Sequence, residues 1–300
     1  MDVSDTSWLH GVMTPLVTPL RDNEVDHKTY ATLVERQIRE GVHGVVVNGT
    51  SGEPSTLTMR ERTQLVETAV HAAAERVPVL AATGSQSLTE TLTLSREAVS
   101  AGANALLVVT PYYIIPPQRG LVDYYLRIAD AVEIPILIYH IPRRAAVGLE
   151  LSTLQQIVKR APNVVGIKHS AHDLGFVADV VATLGPTFRV FVGVEDLSMP
   201  MLIVGAVGLI NAVGNLLPGR LGELYEAVKA EDLRRARAIS EELAEVNASV
   251  FWDTNPIAVK YMMWRSGLLA NNEHRLPMMP ATPELCLRLD RVLERLAVPA

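Results

Sequence analysis

One cysteine, Cys286, stands in a chain of 300 residues. That scarcity excludes a disulfide framework and any multi-cysteine zinc or iron–sulfur centre, and it suits a reducing compartment such as the cytoplasm. Long basic runs are also missing. The 27 Lys and Arg against 33 Asp and Glu leave a formal charge of −6, a balance that argues against nucleic acid as the main partner. The N-terminal MDVSDTSWLH has neither the basic nor the apolar region of a signal peptide. No Gly-x-Gly-x-x-Gly follows the first apolar run, which speaks against a dinucleotide-binding open sheet.

Charge is absent over residues 197–219, a stretch long enough to suggest a membrane span. Pro200, Asn211, Asn215 and Pro218 interrupt it, and asparagine facing lipid is costly. A buried helix, a tight glycine turn and a buried strand account for it better, and no membrane partner is expected.

What is present is ordinary globular material, 48% hydrophobic and 20% charged. Eight short apolar runs rich in β-branched residues start near residues 11, 44, 77, 105, 134, 164, 188 and 207. Most are continuous rather than alternating, as in parallel strands covered on both faces. Helical patterns separate them. Asp26 opens one whose apolar positions are Tyr30, Leu33, Val34 and Ile38, and Gly41 ends it. Thr58 and Glu61 form a capping-box pattern, and Ser87 or Thr89 starts the next helix. Later helices are expected over 118–132, 151–160, 173–184, 196–204 and 219–229. Eight β–α units predict an α/β fold, a (β/α)8 TIM barrel over 1–230, with a doubly wound open sheet as the runner-up. Residues 231–300 carry helical patterns with no strand between them and read as a C-terminal helical appendage.

Barrel chemistry sits where strands end. Lys168 closes the sixth run. A lysine there is poorly hydrated, which favours the neutral amine that imine formation needs, although it could also snorkel to solvent. Tyr139 closes the fifth run and could move protons or be a wet rim aromatic. Thr110-Pro111-Tyr112-Tyr113 ends the fourth. Asn48-Gly49-Thr50-Ser51-Gly52-Glu53 ends the second and could cradle a carboxylate or be a plain turn. Gly193-Val194-Glu195-Asp196 follows the seventh, its acids reading as caps for the next helix. The eighth runs into Ile210 and Asn211, whose backbone could face a ligand. His140, His169, His172 and Asp173 could form a metal centre or bond locally, but no His-x-His ends a strand, so no metal and no cofactor are expected. A lysine, tyrosines, a Gly-Thr-Ser-Gly cradle and an arginine on one rim together point to Schiff-base chemistry on a small carbonyl compound bearing a carboxylate.

Five ordered motifs are Gly49-Thr50-Ser51-Gly52-Glu53, Thr110-Pro111-Tyr112-Tyr113, Tyr139-x-x-Pro142-x-Arg144, Gly166-Ile167-Lys168 and Asn255-Pro256-x-x-Val259-Lys260. Together they resemble the dihydrodipicolinate synthase/N-acetylneuraminate lyase family of class I aldolases over nearly the whole chain. The resemblance implies that Lys168 forms an imine with pyruvate or another 2-oxo acid and that Tyr139 moves protons beside it. It implies a relay through Thr50 and Tyr113, the latter from a neighbouring subunit of a homotetramer built as a dimer of dimers. Ser51, Gly193 and the backbone near Ile210 would hold the substrate, and Arg144 would bind a second carboxylate. That arginine favours condensation of pyruvate with an aldehyde such as aspartate semialdehyde. A 2-keto-3-deoxy sugar-acid aldolase or dehydratase is the alternative; a metal-dependent barrel enzyme and a non-catalytic small-molecule binding protein are more distant ones. The chain departs from the family at His140, His169, His172, Val194 and Asn211, which read as changes lining the distal pocket or its edge. Met59 and Gln86 replace the His and Asn usual in lysine-inhibited members and speak against lysine feedback.

Overall fold

The computed structural model describes residues 5–296. Residues 1–4 of the acidic start and 297–300 of the helical appendage lie outside the described residues. Eight parallel strands close into a barrel: β1 (Gly11–Pro15), β2 (Gly44–Val47), β3 (Val79–Ala82), β4 (Ala105–Val109), β5 (Ile136–His140), β6 (Val164–His169), β7 (Arg189–Val192) and β8 (Gly208–Leu209). β1 pairs with β2 on one side, Met13 opposite Gly44, and with β8 on the other, Gly11 opposite Gly208. Every one of the eight strands has a partner on either side, so the sheet has no edge and the doubly wound alternative is excluded. The closing pair is close: a Cβ on Gly208 would lie 2.2 Å from the Gly11 carbonyl oxygen. Glycine is required there.

Helices cover the outside. They are α1 (His27–Arg39), α2 (Met59–Ala73), α3 (Leu88–Ser100), α4 (Gln118–Ala129), α5 (Pro142–Ala145), α6 (Leu151–Arg160), α7 (Leu174–Leu184), α8 (Ser198–Val204) and α9 (Pro218–Lys229). Asp26 caps α1 through the Thr29 amide, Thr58 and Glu61 form the capping box of α2, and Ser87 caps α3. The uncharged stretch is α8, a turn at Gly205 with φ +122°, and β8. Among the described residues no helix is long and apolar enough to cross a membrane.

Inward-facing Met13, Val46, Leu80, Leu107, Leu137, Phe191 and Ile210 fill the barrel, and a larger apolar layer lies between strands and helices. A two-stranded hairpin, Leu20–Arg21 with Glu24–Val25, turns on Asp22 and Asn23, both at positive φ. It was not expected, nor was the single turn of α5. The eighth strand is shorter than its apolar run because a 3-10 turn, Ala212–Asn215, starts at once.

After residue 230 come α10 (Leu233–Ser249), α11 (Ile257–Arg265) and α12 (Pro283–Leu296). α10 packs on α8 and α9; α11 packs on α12 and on the 3-10 turn. The segment between α10 and α11, and the one between α11 and α12, reach over the C-terminal end of the barrel.

Candidate active site

Tyr139 and Lys168 are register partners on β5 and β6. Both are the last inward-pointing residues of their strands, because side chains alternate between faces. Lys168 is 4% exposed, and its Nζ lies 4.1 Å from the centroid of the Tyr139 ring. The Tyr139 hydroxyl lies 3.2 Å from Thr50 Oγ1. Burial pushes the pKa of this phenol up. The Lys168 charge and the hydroxyls of Thr50 and Ser170 outweigh that and leave it below its ordinary value. The constellation is an amine beside a tyrosine whose proton is easier than usual to give up, with a threonine hydroxyl as the next station.

The Thr50–Gly52 turn holds the other half of the site. Asn48 takes positive φ and donates through Nδ2 to the Arg62 carbonyl; Thr18 Oγ1 donates to the Gly52 carbonyl. Ser51 is buried, and Asn255 Nδ2 donates to its hydroxyl at 3.1 Å. Glu53 follows in the left-handed region and is anchored from below. Lys260 Nζ donates to its Oε1 at 2.9 Å, and His274 Nδ1 donates to its Oε2 at 2.9 Å. All three side chains are almost inaccessible. Burial raises the carboxyl of Glu53, but His274 and Lys260 more than reverse this, so it is held below its usual range. Glu53 and Lys260 stood in two of the sequence motifs without a role there. They are a buried ion pair that fixes the cradle.

Gly193 ends β7 against Lys168. A Cβ there would lie 2.0 Å from Ser170 Oγ and 2.7 Å from Lys168 Cε. Ile210 is buried at the barrel mouth, and its amide donates to Val192 in the ladder. Arg144 lies on α5, and its Nη2 donates to the Asn255 carbonyl at 3.5 Å. A cavity of about 570 Å³ opens from Tyr139 and Thr50 past Arg144 to Tyr112, Arg62 and Glu90, roofed by Asn255 and Met278. Arg62, which pairs with Glu90 at 3.7 Å, carried no signal in the sequence because it sits within a helical pattern. Gln86 lines this cavity; Met59 is not among its lining residues.

Tyr113 does not reach the other site residues within the chain. It is 87% exposed at positive φ, on a loop whose Ile114 and Ile115 are also exposed.

The histidines do not line the distal pocket. His140 and His169 follow Tyr139 and Lys168 and therefore face outward, packed with Phe176 of α7. The Leu149 amide donates to His140 Nε2 at 3.0 Å, so the His140 proton belongs on Nδ1, which lies 3.1 Å from His169 Nδ1. Burial and the second ring push His140 down to about 3, which keeps it neutral. His172 pairs with Asp196 at the surface. Among the described residues no His, Cys, Asp and Glu group could hold a metal ion.

Glu195 also departs from expectation. It does not cap α8. Its side chain is buried, Oε1 accepts from the Ala212 amide at 2.6 Å, and Oε2 has no partner among the described residues. Burial raises its carboxyl from 4.5 to about 7, against the pull of the Ala212 amide and Lys168. A carboxyl whose folded value is raised contributes stability fully present below its unfolded value, and this is lost as pH rises through about 7. Glu195→Gln removes that dependence. Its unfolding free energy relative to wild type therefore rises between pH 4.5 and 8, by about 3 kcal/mol from the shift. Denaturant titrations at pH 4.5, 6, 7 and 8 measure this; a constant difference would show that Glu195 does not titrate there.

The chain is similar to known proteins over nearly its whole length. The model of the dihydrodipicolinate synthetase family matches residues 8–296. The 4-hydroxy-tetrahydrodipicolinate synthase of Thermus thermophilus is 43% identical over 95% of either chain. The crystal structure of dihydrodipicolinate synthase from Aquifex aeolicus is 36% identical and superposes with a TM-score of 0.95 over 97% of this chain and 99% of that one. The chloride-inhibited dihydrodipicolinate synthase from Acinetobacter baumannii, solved with pyruvate, is 33% identical with a TM-score of 0.94 over 97% and 99%.

Proposed function

Because this chain belongs to the dihydrodipicolinate synthetase family, we propose that it is a class I lyase that condenses pyruvate with aspartate semialdehyde, a 4-hydroxy-tetrahydrodipicolinate synthase. The observation that carries the reading is the buried Lys168 amine against Tyr139, with Thr50 hydrogen-bonded to the phenol.

Lys168 Nζ attacks the 2-oxo carbon of pyruvate. The carbinolamine takes a proton on its hydroxyl and loses water, leaving a protonated imine. That cation is an electron sink: a proton leaves the methyl carbon, and the enamine attacks the aldehyde carbon, whose oxygen takes up a proton. Tyr139 gives and receives these protons, with Thr50 as the next group in line. Thr50 and Ser51 present hydroxyls to the pyruvate carboxylate, Gly193 leaves room beside Lys168, and the Ile210 backbone closes the pocket. Arg144 suits the second carboxylate, since guanidinium binds carboxylate through two N–H groups.

We place Tyr113 of a neighbouring subunit at the end of the relay, in a homotetramer. The exposed Tyr113-Ile114-Ile115 tip supports this, because large apolar side chains grouped at one tip fit an interface better than solvent. Residues 1–230 are the catalytic barrel and 231–300 an appendage that supplies Asn255, Lys260 and Met278. The single cysteine fits a cytoplasmic enzyme.

The test is the rate of pyruvate-dependent consumption of aspartate semialdehyde. Turnover is expected, and Tyr139→Phe slows it about 10²-fold or more while pyruvate still binds. Turnover of a 2-keto-3-deoxy sugar acid with no reaction of aspartate semialdehyde would overturn the choice of partner, and a near-normal Tyr139→Phe rate would take Tyr139 out of the proton path.

A further inference from the structure

A second cavity, of about 340 Å³, opens at the opposite end of the barrel. It is bounded by Arg189 at the start of β7 and Val207 just before β8, four and three residues before Gly193 and Ile210 on the same strands. Its lining combines polar and apolar groups. Arg189, Lys229, His10 and Tyr225 supply the first; Leu202, Ala206, Val207 and Val228 supply the second.

The cationic side is built rather than incidental. Arg189 donates through Nε to the Leu9 carbonyl at 2.8 Å and through Nη1 to the Pro186 carbonyl at 3.3 Å. Two backbone carbonyls thus fix the guanidinium plane, and among the described residues Nη2 makes no hydrogen bond. Among the described residues no carboxylate lies within ion-pair distance of Arg189. His10 Nδ1 lies 3.3 Å from the Tyr225 hydroxyl, and the two rings stack with centroids 6.2 Å apart. His43 closes the cluster edge-on to both rings. The one acid nearby, Glu226, lies 3.7 Å from His43 Nε2 and 3.9 Å from Lys229 Nζ.

That acid does not neutralise the pocket. His10 is held below its ordinary value, first by burial and then by the charges of Lys229 and Arg189, which together outweigh Glu226. His43 is also held down, by burial and by His10, with Glu226 opposing and Lys229 adding to the effect. A partly buried guanidinium without a counter-charge, beside an apolar wall, favours an anion. The wall favours one with a small apolar body.

We propose that this cavity binds a small organic carboxylate, its anionic head between Arg189 and Lys229 and its short apolar body against Leu202, Ala206 and Val207. The pocket lies apart from Lys168 and its neighbours, so the proposal stands whatever the substrate of the catalytic end. Its size holds a branched chain of four to six carbons. Binding and protonation of His10 assist each other by linkage: a bound anion raises the His10 value, and affinity rises as pH falls.

The probe is isovalerate, titrated into the full-length protein while the His10 side chain is followed by NMR, with inorganic phosphate as the second arm. Saturable change at His10, an upward shift of its titration in bound protein, and about tenfold weaker binding in Lys229→Ala are expected. Tyr225→Phe keeps the ring and removes the hydroxyl, so it should bind isovalerate with at most a small loss. No saturable change at His10 would overturn the proposal, and so would unchanged affinity in a folded Lys229→Ala protein. Phosphate binding as tight as isovalerate would overturn the role given to the apolar wall.

Discussion

Lys168→Ala folds, melts close to wild type, and loses condensation activity by more than about 10⁴-fold. The loss is large because the amine bonds to the substrate: no neighbouring group replaces it. Tyr139 can move a proton but cannot supply the electron sink, and the other buried lysine, Lys260, is committed to Glu53 and to the Glu273 carbonyl. The fold survives because Lys168 closes a strand without holding one. Its backbone ladder to β5 and β7 is untouched by the substitution, and among the described residues no carboxylate lies within ion-pair distance of Lys168. Steady-state rates with pyruvate and aspartate semialdehyde, beside a melting curve, check both halves. Retained turnover in a folded variant would end the imine mechanism.

Lys260→Met carries the largest expected effect on stability, a loss of about 3–5 kcal/mol in denaturant unfolding. Methionine fills similar volume but strips Glu53 of its cation, leaving a buried carboxylate with His274 alone. Adding Glu53→Gln to Lys260→Met should recover much of the loss, because the damage lies in the stranded charge rather than in the missing pair. The site suffers as well: Glu53 directly follows the Thr50–Gly52 turn, so the single variant raises KM for pyruvate. Since the Glu53 carboxyl is held below its usual range, the pair's contribution is present above the unfolded value and is lost as pH falls through the lower folded one. Wild type and Lys260→Met should therefore converge in stability under acid conditions. Equal stability at neutral pH would show that the ion pair does not anchor the cradle.

The fold was legible because local signals agreed with it. Apolar runs, most of them continuous, mark all eight strands; Asp26 and Thr58 mark helix starts by the hydrogen bonds they make in the structure, as does Ser87, one of two candidates for the third. What escaped was short or non-local. The Asp22-Asn23 hairpin and α5 are too brief to show a period. Glu53 and Lys260 meet across 207 residues, a distance that no spacing rule reaches.

The site shows the same division. Lys168 and Tyr139 were readable as the last residues of apolar runs. His140 and His169 were misplaced at the pocket although strand parity sends each to the opposite face from its neighbour. Glu195 looked like a helix cap because acids before a helix usually are. The Ala212 amide, brought in by the turn after β8, drew it inward instead. Tyr113 is 87% exposed in its own chain, and the role given to it rests on a second subunit.

The most direct test of the central claim is borohydride reduction of the protein with and without pyruvate, followed by peptide mass mapping. The expected result is a reduced pyruvate adduct on Lys168, formed only when pyruvate is present and absent from Lys168→Ala. No adduct, or an adduct on another lysine, would contradict the claim that this strand-end amine carries the chemistry.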